Sequence, residues 1–186
     1  MAKEFYRIKV AGLERDLPLC PLNDKLMIAG FVIFGDPELT CAAARDLLAI
    51  APEYDVLITA ESKGIPLGHE MARQAGDSRY ILARKSVKLY MKNVLKVEVQ
   101  SITTSKLQTL YIDGSDAEFM KGKRVLIVDD VISTGESLRA IEHLVEAAGG
   151  NIVGRMSILA EGDAIDRKDI QYLAPLPLFN AEGDPI

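Results

Sequence analysis

Aliphatic runs of strand length alternate along this chain with segments of helical period, a pattern that predicts a layered α/β fold. Phe5 to Val10 predicts a first short strand, and Gly12 to Pro21, with two prolines, a loop. Leu26 to Phe34 is apolar and strand-like, interrupted by Gly30. Asp36-Pro37-Glu38 then opens a helix to about Ile50, with Asp36 as N-cap, Pro37 at the first helical position and Cys41 on the apolar face. Asp55 to Ala60 predicts a core strand, Gly64 a tight turn, and Ile65 to Ala75 a second helix. Tyr80 to Ala83 is a further strand, and Val94 to Ile102 with Leu107 to Ile112 a hairpin joined by 103–106. Asp113-Gly114 and Lys121-Gly122-Lys123 read as turns. After Arg124, the aliphatic run from Val125 to Val128 has the unbroken hydrophobicity of a parallel strand buried on both faces. A helix from Glu136 to about Ala148 follows, closed by Gly149-Gly150. Asn151 to Leu159 is another buried strand, and Ile170 to Leu173 a short edge strand before Pro175 and Pro177. The fold class this predicts is α/β, an open, twisted, mainly parallel sheet flanked by helices.

Composition narrows the function. A chain of 186 residues with 48% hydrophobic content suits one domain with a sizeable core. A net charge of −5 argues against a dedicated nucleic-acid surface. Cys20 and Cys41 form no CxxC and read as reduced thiols, in the core or idle at the surface, of a cytoplasmic protein. Met1-Ala2-Lys3-Glu4 runs straight into a strand-like segment without a signal peptide, and no apolar run approaches membrane-spanning length, so no membrane partner is expected. His69 and His143 fall in predicted helices without a second metal-type ligand beside them.

The chemistry gathers where strands end. Asp129 and Asp130 follow the aliphatic strand, and Ser133 to Ser137 lead through Gly135 into a helix. Open α/β sheets bind ligands at the carboxyl ends of their strands, and backbone N–H groups at a helix start hold phosphate. The turn therefore offers an anion cradle beside two hydroxyl acceptors, a combination that suits a sugar phosphate. A receiver domain also ends an aliphatic strand in paired aspartates. That strand opens such a domain, however, and only 61 residues follow Val125. Glu61-Ser62-Lys63-Gly64 forms a second strand–loop–helix turn, which alone reads as an ordinary βα connection. From Arg84 to Lys106 there are six basic residues against one acid, Glu98, a local reversal of charge that suits an electropositive flap over a polyanion as well as a solvated loop. Neither GxGxxG nor GxxxxGK[ST] occurs, so the dinucleotide and nucleoside-triphosphatase fingerprints are missing.

Four aliphatic residues (125–128), Asp129-Asp130 and Thr134-Gly135 together resemble the phosphoribosyl-pyrophosphate (PRPP) signature of type I phosphoribosyltransferases. Ser62-Lys63-Gly64 resembles the pyrophosphate loop of that family, and Ala83-Arg84-Lys85 before a polar hairpin resembles its purine branch, of adenine and xanthine types. The resemblance covers roughly residues 5 to 180. It implies one domain over 1–186, with a core of about 35–84 and 113–160, a flexible hood loop of about 85–112, and terminal segments forming a base-side hood. Asp129 and Asp130 would accept from the ribose hydroxyls. Ser133, Thr134, Gly135, Glu136 and Ser137 would hold the 5′-phosphate, and Glu61, Ser62, Lys63, Gly64, Arg84, Lys85 and Lys88 the pyrophosphate. Mg²⁺ would ride on PRPP without a direct protein ligand, reached by Asp129 and Asp130 through water. The resemblance also implies a cis peptide at Glu61-Ser62, and a homodimer in which 84–88 reaches the partner's site. The activity implied is purine salvage, a purine base and PRPP giving a nucleoside monophosphate and pyrophosphate. A PRPP-binding regulator without catalysis is the alternative.

Two features bear on the base. Members that accept 6-oxopurines carry a lysine after the penultimate strand, where Gly162 stands here, which favours adenine. Adenine-type members place a glutamate in the hood where this chain has Thr103, closer to the xanthine type, although Glu98 lies nearby. Adenine is the expected base, with xanthine, hypoxanthine and guanine as alternatives.

Overall fold

The computed structural model describes residues 3–100 and 107–186, so Thr103 and the hairpin tip lie outside the described residues. The chain opens with an antiparallel sheet of β1 (Phe5–Val10), β2 (Leu13–Pro21) and β3 (Met27–Ala29). The loop expected from Gly12 to Pro21 is thus a strand. Leu17 and Leu19 point into the core while Asp16, Pro18 and Cys20 point out, and this period of two outweighs the prolines. Beyond β3, Gly30 N–H donates to the Pro18 carbonyl at 2.8 Å and the ladder stops, so Phe31 to Ile33 belong to no strand and Phe34 enters a turn.

Helix α1 (Pro37–Ile50) starts as its sequence predicts, with the Asp36 carboxylate accepting from Leu39 N–H at 3.0 Å. Its buried face is Leu39, Thr40, Ala43, Ala44 and Leu47, and Cys41 lies off that face. Both cysteines are exposed, so the core placement expected for Cys41 is wrong. Strand β4 (Val56–Ala60), helix α2 (Ile65–Ala75) and strand β5 (Ile81–Ala83) follow, then the hairpin strands β6 (Leu95–Gln100) and β7 (Leu107–Ile112). The turn expected at Asp113-Gly114 instead opens a short helix, α3 (Gly114–Met120), because the Asp113 carboxylate caps Ser115 N–H at 2.9 Å and Met120 is fully buried. Strand β8 (Arg124–Ile132), helix α4 (Glu136–Ala147), strand β9 (Asn151–Glu161), a turn of 3-10 helix (Gly162–Asp166) and strand β10 (Gln171–Leu176) complete the chain.

The main sheet has the order β10-β9-β8-β4-β5, parallel throughout. Alternate residues of its strands face opposite layers. Leu57, Leu126, Val128 and Met156 join a core with α1, α2 and the N-terminal strands. Val56, Ile58, Val125 and Ile127 join a second core with α4, α3 and the hairpin. Both faces are covered, which is why β4 and β8 lack hydrophobic–polar alternation. Strand β8 runs further than its aliphatic run suggests. Asp129 pairs with Ser157, Val131 with Leu159 and Ile132 with Ala160, so the two carboxylates lie within the strand rather than beyond it. No helix among the described residues is long and apolar enough to cross a membrane.

Candidate active site

The loops leaving β4 and β8 meet at the carboxyl edge of the sheet, where a parallel sheet presents its ligand site. The turn after β4 packs directly on β8. Ser62 Oγ donates to Asp129 Oδ1 at 3.2 Å and accepts from Gly64 N–H at 3.2 Å, and Asp130 N–H donates to the same Asp129 oxygen at 2.9 Å. A Cβ on Gly64 would stand 2.7 Å from Asp129 Oδ1 and 2.8 Å from Thr59 Oγ1. Gly64 has an ordinary right-handed backbone, φ −69° and ψ −12°, so close approach rather than a tight turn requires glycine here. The expected cis peptide at Glu61-Ser62 is absent, since every peptide bond among the described residues is trans. Ser62 N–H closes on the Ala60 carbonyl at 2.8 Å and makes the reversal with a trans bond.

Asp130 is buried, and its Oδ2 accepts no hydrogen bond among the described residues, although Lys63 Nζ lies 3.3 Å away as an ion partner. Lys63 Nζ also donates to the Phe31 carbonyl at 2.7 Å, tying the turn to the segment after β3. Burial and the neighbouring Asp130 carboxylate push the Asp129 carboxyl well above the usual carboxylate range. Burial also raises Glu161, at the end of β9, with Lys63 opposing the shift.

A cleft of about 280 Å³ is lined by Ser62, Lys63, Asp129, Asp130, Ser133 and Ser137, and its far wall includes Phe31, Glu161 and Leu176. The turn from Ser133 enters α4 through Gly135 at φ +78°, an N-cap residue with no side chain of its own to cap the helix. Backbone N–H groups at a helix start point outward and can hold an anion. Thr134, Gly135 and Glu136 line an adjoining small cavity that shares Asp129, Ser133 and Ser137 with the cleft. The guanidinium of Arg167, gripped by Asp169 at 2.6 and 2.9 Å, occupies the space a Gly135 side chain would need.

The basic run gathers on the same chain's Glu61. Arg84 Nη1 donates to Glu61 Oε1 at 3.0 Å, Lys85 N–H to Oε2 at 2.9 Å, and Lys88 Nζ is 3.7 Å from Oε1. Arg84 also bonds the Tyr90 hydroxyl. The Lys85 N–H, then Lys88 and Arg84, hold the Glu61 carboxyl below its ordinary value. Glu98 does not join the cleft; it sits on β6, ion-paired with Lys96. Thr59, Phe31 and Glu161 belong to the site without standing in any of the motifs that mark it. Glu161 carries the same signal as Asp129, an acid at the carboxyl end of a buried strand, and is legible on that ground. Among the described residues no three carboxylate, thiol or imidazole groups cluster as a metal cage.

Residues 38–174 match the family described as phosphoribosyl transferase domain. The chain is 33% identical over 134 residues to a hypoxanthine/guanine phosphoribosyltransferase of Methanococcus voltae, covering 72% of this chain and 67% of the relative. It is 30% identical over 177 residues to an adenine phosphoribosyltransferase of Bifidobacterium longum, covering 90% and 89%. Its fold is similar to that of adenine phosphoribosyltransferase from Thermoanaerobacter pseudethanolicus, with a TM-score of 0.70 over 86% of this chain and 95% of that one at 21% identity.

Proposed function

Because this chain belongs to the phosphoribosyl transferase domain family, we propose that it is a purine phosphoribosyltransferase, with adenine its preferred base. The observation that carries this reading is the Asp129-Asp130 pair, which opens on one cleft with the Ser62-Lys63 turn and with Ser133 and Ser137. The names of the relatives support a purine acceptor, and Gly162 in place of a lysine supports adenine.

In this reading the N–H groups of 133–137 and the hydroxyls of Thr134 and Ser137 bind the 5′-phosphate. Asp129 and Asp130 accept from the ribose hydroxyls, and Glu61 arrays Arg84, Lys85 and Lys88 beside Lys63 and the loop of Ser62 and Gly64 around the diphosphate. A purine nitrogen bonds to the anomeric carbon as the bond from that carbon to the diphosphate oxygen breaks, the electron pair leaving with pyrophosphate. The nitrogen's proton passes to solvent. The transition state resembles an oxocarbenium ion, as in other glycosyl transfers. This chain contributes orientation and fixed charge rather than a covalent nucleophile. The donor set fits Mg²⁺ held mainly by substrate oxygens and water, since Asp130 Oδ2 is a hard oxygen without a hydrogen-bond donor and no protein cage competes among the described residues. When bound, the ion would neutralise diphosphate charge. The hairpin of β6 and β7 is the segment that would close over the reactants and exclude water.

The test is nucleotide formation from PRPP, Mg²⁺ and each of adenine, hypoxanthine, guanine and xanthine. AMP with the highest kcat/KM is expected. PRPP binding with no nucleotide from any base would identify a regulator instead. The active form we propose is a homodimer, although Arg84, Lys85 and Lys88 already serve their own chain's Glu61. Sedimentation at micromolar concentration should give twice the 20.3 kDa chain mass, and a fully active monomer would contradict the dimer.

A further inference from the structure

The cleft contains one ionisable group that the phosphate, ribose and diphosphate roles leave unused, Glu161. It is the last residue of β9 and is half-buried, and its Cα pairs with that of the buried Leu176 on β10. Its carboxylate makes no hydrogen bond among the described residues. The same cleft is also lined by Ile28, Ala29, Gly30, Phe31 and Leu176, apolar residues that a flat heteroaromatic ring would lie against. The neighbouring cation is already engaged, since Lys63 Nζ holds the Phe31 carbonyl at 2.7 Å and faces Asp130 at 3.3 Å. The next residue, a glycine, offers no side-chain donor. Gly162 has φ +57°, a left-handed conformation that a lysine would adopt only under strain.

We propose that Glu161 is a specificity-determining residue for the base, its carboxylate accepting a hydrogen bond from the exocyclic 6-amino group of adenine and disfavouring purines with a 6-oxo group. The chemistry is one of acceptors only. An ionised carboxylate has no proton to give, so a 6-amino group completes the pair and a carbonyl oxygen at the same position meets like charge. A buried acceptor left facing another acceptor costs roughly 1–3 kcal/mol, about tenfold to a hundredfold in relative kcat/KM. The inference rests on the purine phosphoribosyltransferase reading and deepens it by naming what selects the base.

Glu161→Gln separates the two. The amide keeps an acceptor for the 6-amino group and adds a donor for a 6-oxo oxygen. The ratio of kcat/KM for adenine to that for hypoxanthine is expected to fall by about tenfold or more, with KM for PRPP changed by less than about twofold. Glu161→Asp, which shortens the acid without adding a donor, should lower kcat/KM for adenine with no gain for hypoxanthine. A folded Gln variant with the wild-type ratio would overturn the inference while leaving phosphoribosyl transfer standing, as would a wild-type enzyme that prefers hypoxanthine. If the Gln variant does not fold, an Asp variant with the wild-type kcat/KM for adenine overturns it equally. A wild-type protein that converts no purine overturns the functional reading and this inference with it.

Discussion

Replacing Gly64 by alanine is expected to lower kcat/KM by roughly tenfold to a hundredfold while the protein stays folded. The added methyl would stand 2.7 Å from Asp129 Oδ1, 2.8 Å from Thr59 Oγ1 and 3.2 Å from Asp129 Cα. Two of those neighbours cannot yield cheaply. Thr59 is fully buried in β4, and the Asp129 backbone is laddered to Ser157. The turn of 62–64 or the Asp129 side chain must therefore move by several tenths of an ångström. Overpacking of this kind costs about 1–3 kcal/mol of stability. A misplacement near 1 Å in a site that works by orientation costs about a hundredfold in rate. Backbone strain plays no part, because φ −69° suits alanine well. Circular dichroism with a thermal melt, read beside kcat/KM, checks this. A variant with wild-type activity would mean that the Ser62-Gly64 turn does not hold Asp129 in place.

The elements legible in the sequence are those whose signals are local. Asp36-Pro37 marks the start of α1 because capping and proline geometry act within one turn. The aliphatic run of β8 marks a strand covered on both faces for the same reason. Strand β2 is hidden because Pro18 and Pro21 read as breakers, yet both sit at exposed positions of the strand, where proline is tolerated. Helix α3 is hidden by its length, seven residues held by a cap and by one buried methionine. The candidate site divides in the same way. Asp129, Asp130 and the 133–137 turn stand together in sequence, and their neighbours announce them. That Gly64 is needed for space, that Lys63 is tied to Phe31, and that Glu61 collects Arg84, Lys85 and Lys88 are facts about residues about 20 to 70 positions apart. No periodicity carries them. Glu98, expected in the hood, is paired with Lys96 on the same strand, a contact two residues apart.

Asp129→Asn together with Asp130→Asn should abolish most turnover and leave the fold at least as stable. Each carboxylate that accepts from a ribose hydroxyl contributes a charge-assisted hydrogen bond of about 1.5–3 kcal/mol, so losing both is worth on the order of a hundredfold or more in kcat/KM. At the first of the two positions the new amide oxygen would still accept from Ser62 Oγ and from the following backbone N–H, the two bonds that shape the loop. Stability should move the other way. Burial and the adjacent carboxylate raise the Asp129 carboxyl above its ordinary value, so ionising it works against the folded state. A carboxyl raised in the fold stabilises the protein at low pH, and that contribution is lost as pH rises from about 4 through the folded value. The wild-type melting temperature should therefore fall over that range more steeply than that of the double variant, which lacks the buried acid. Activity and thermal stability changing in opposite directions at neutral pH mark a site whose charge is kept for binding rather than for folding. Near-wild-type kcat/KM in the folded double variant would remove the ribose site from these two residues.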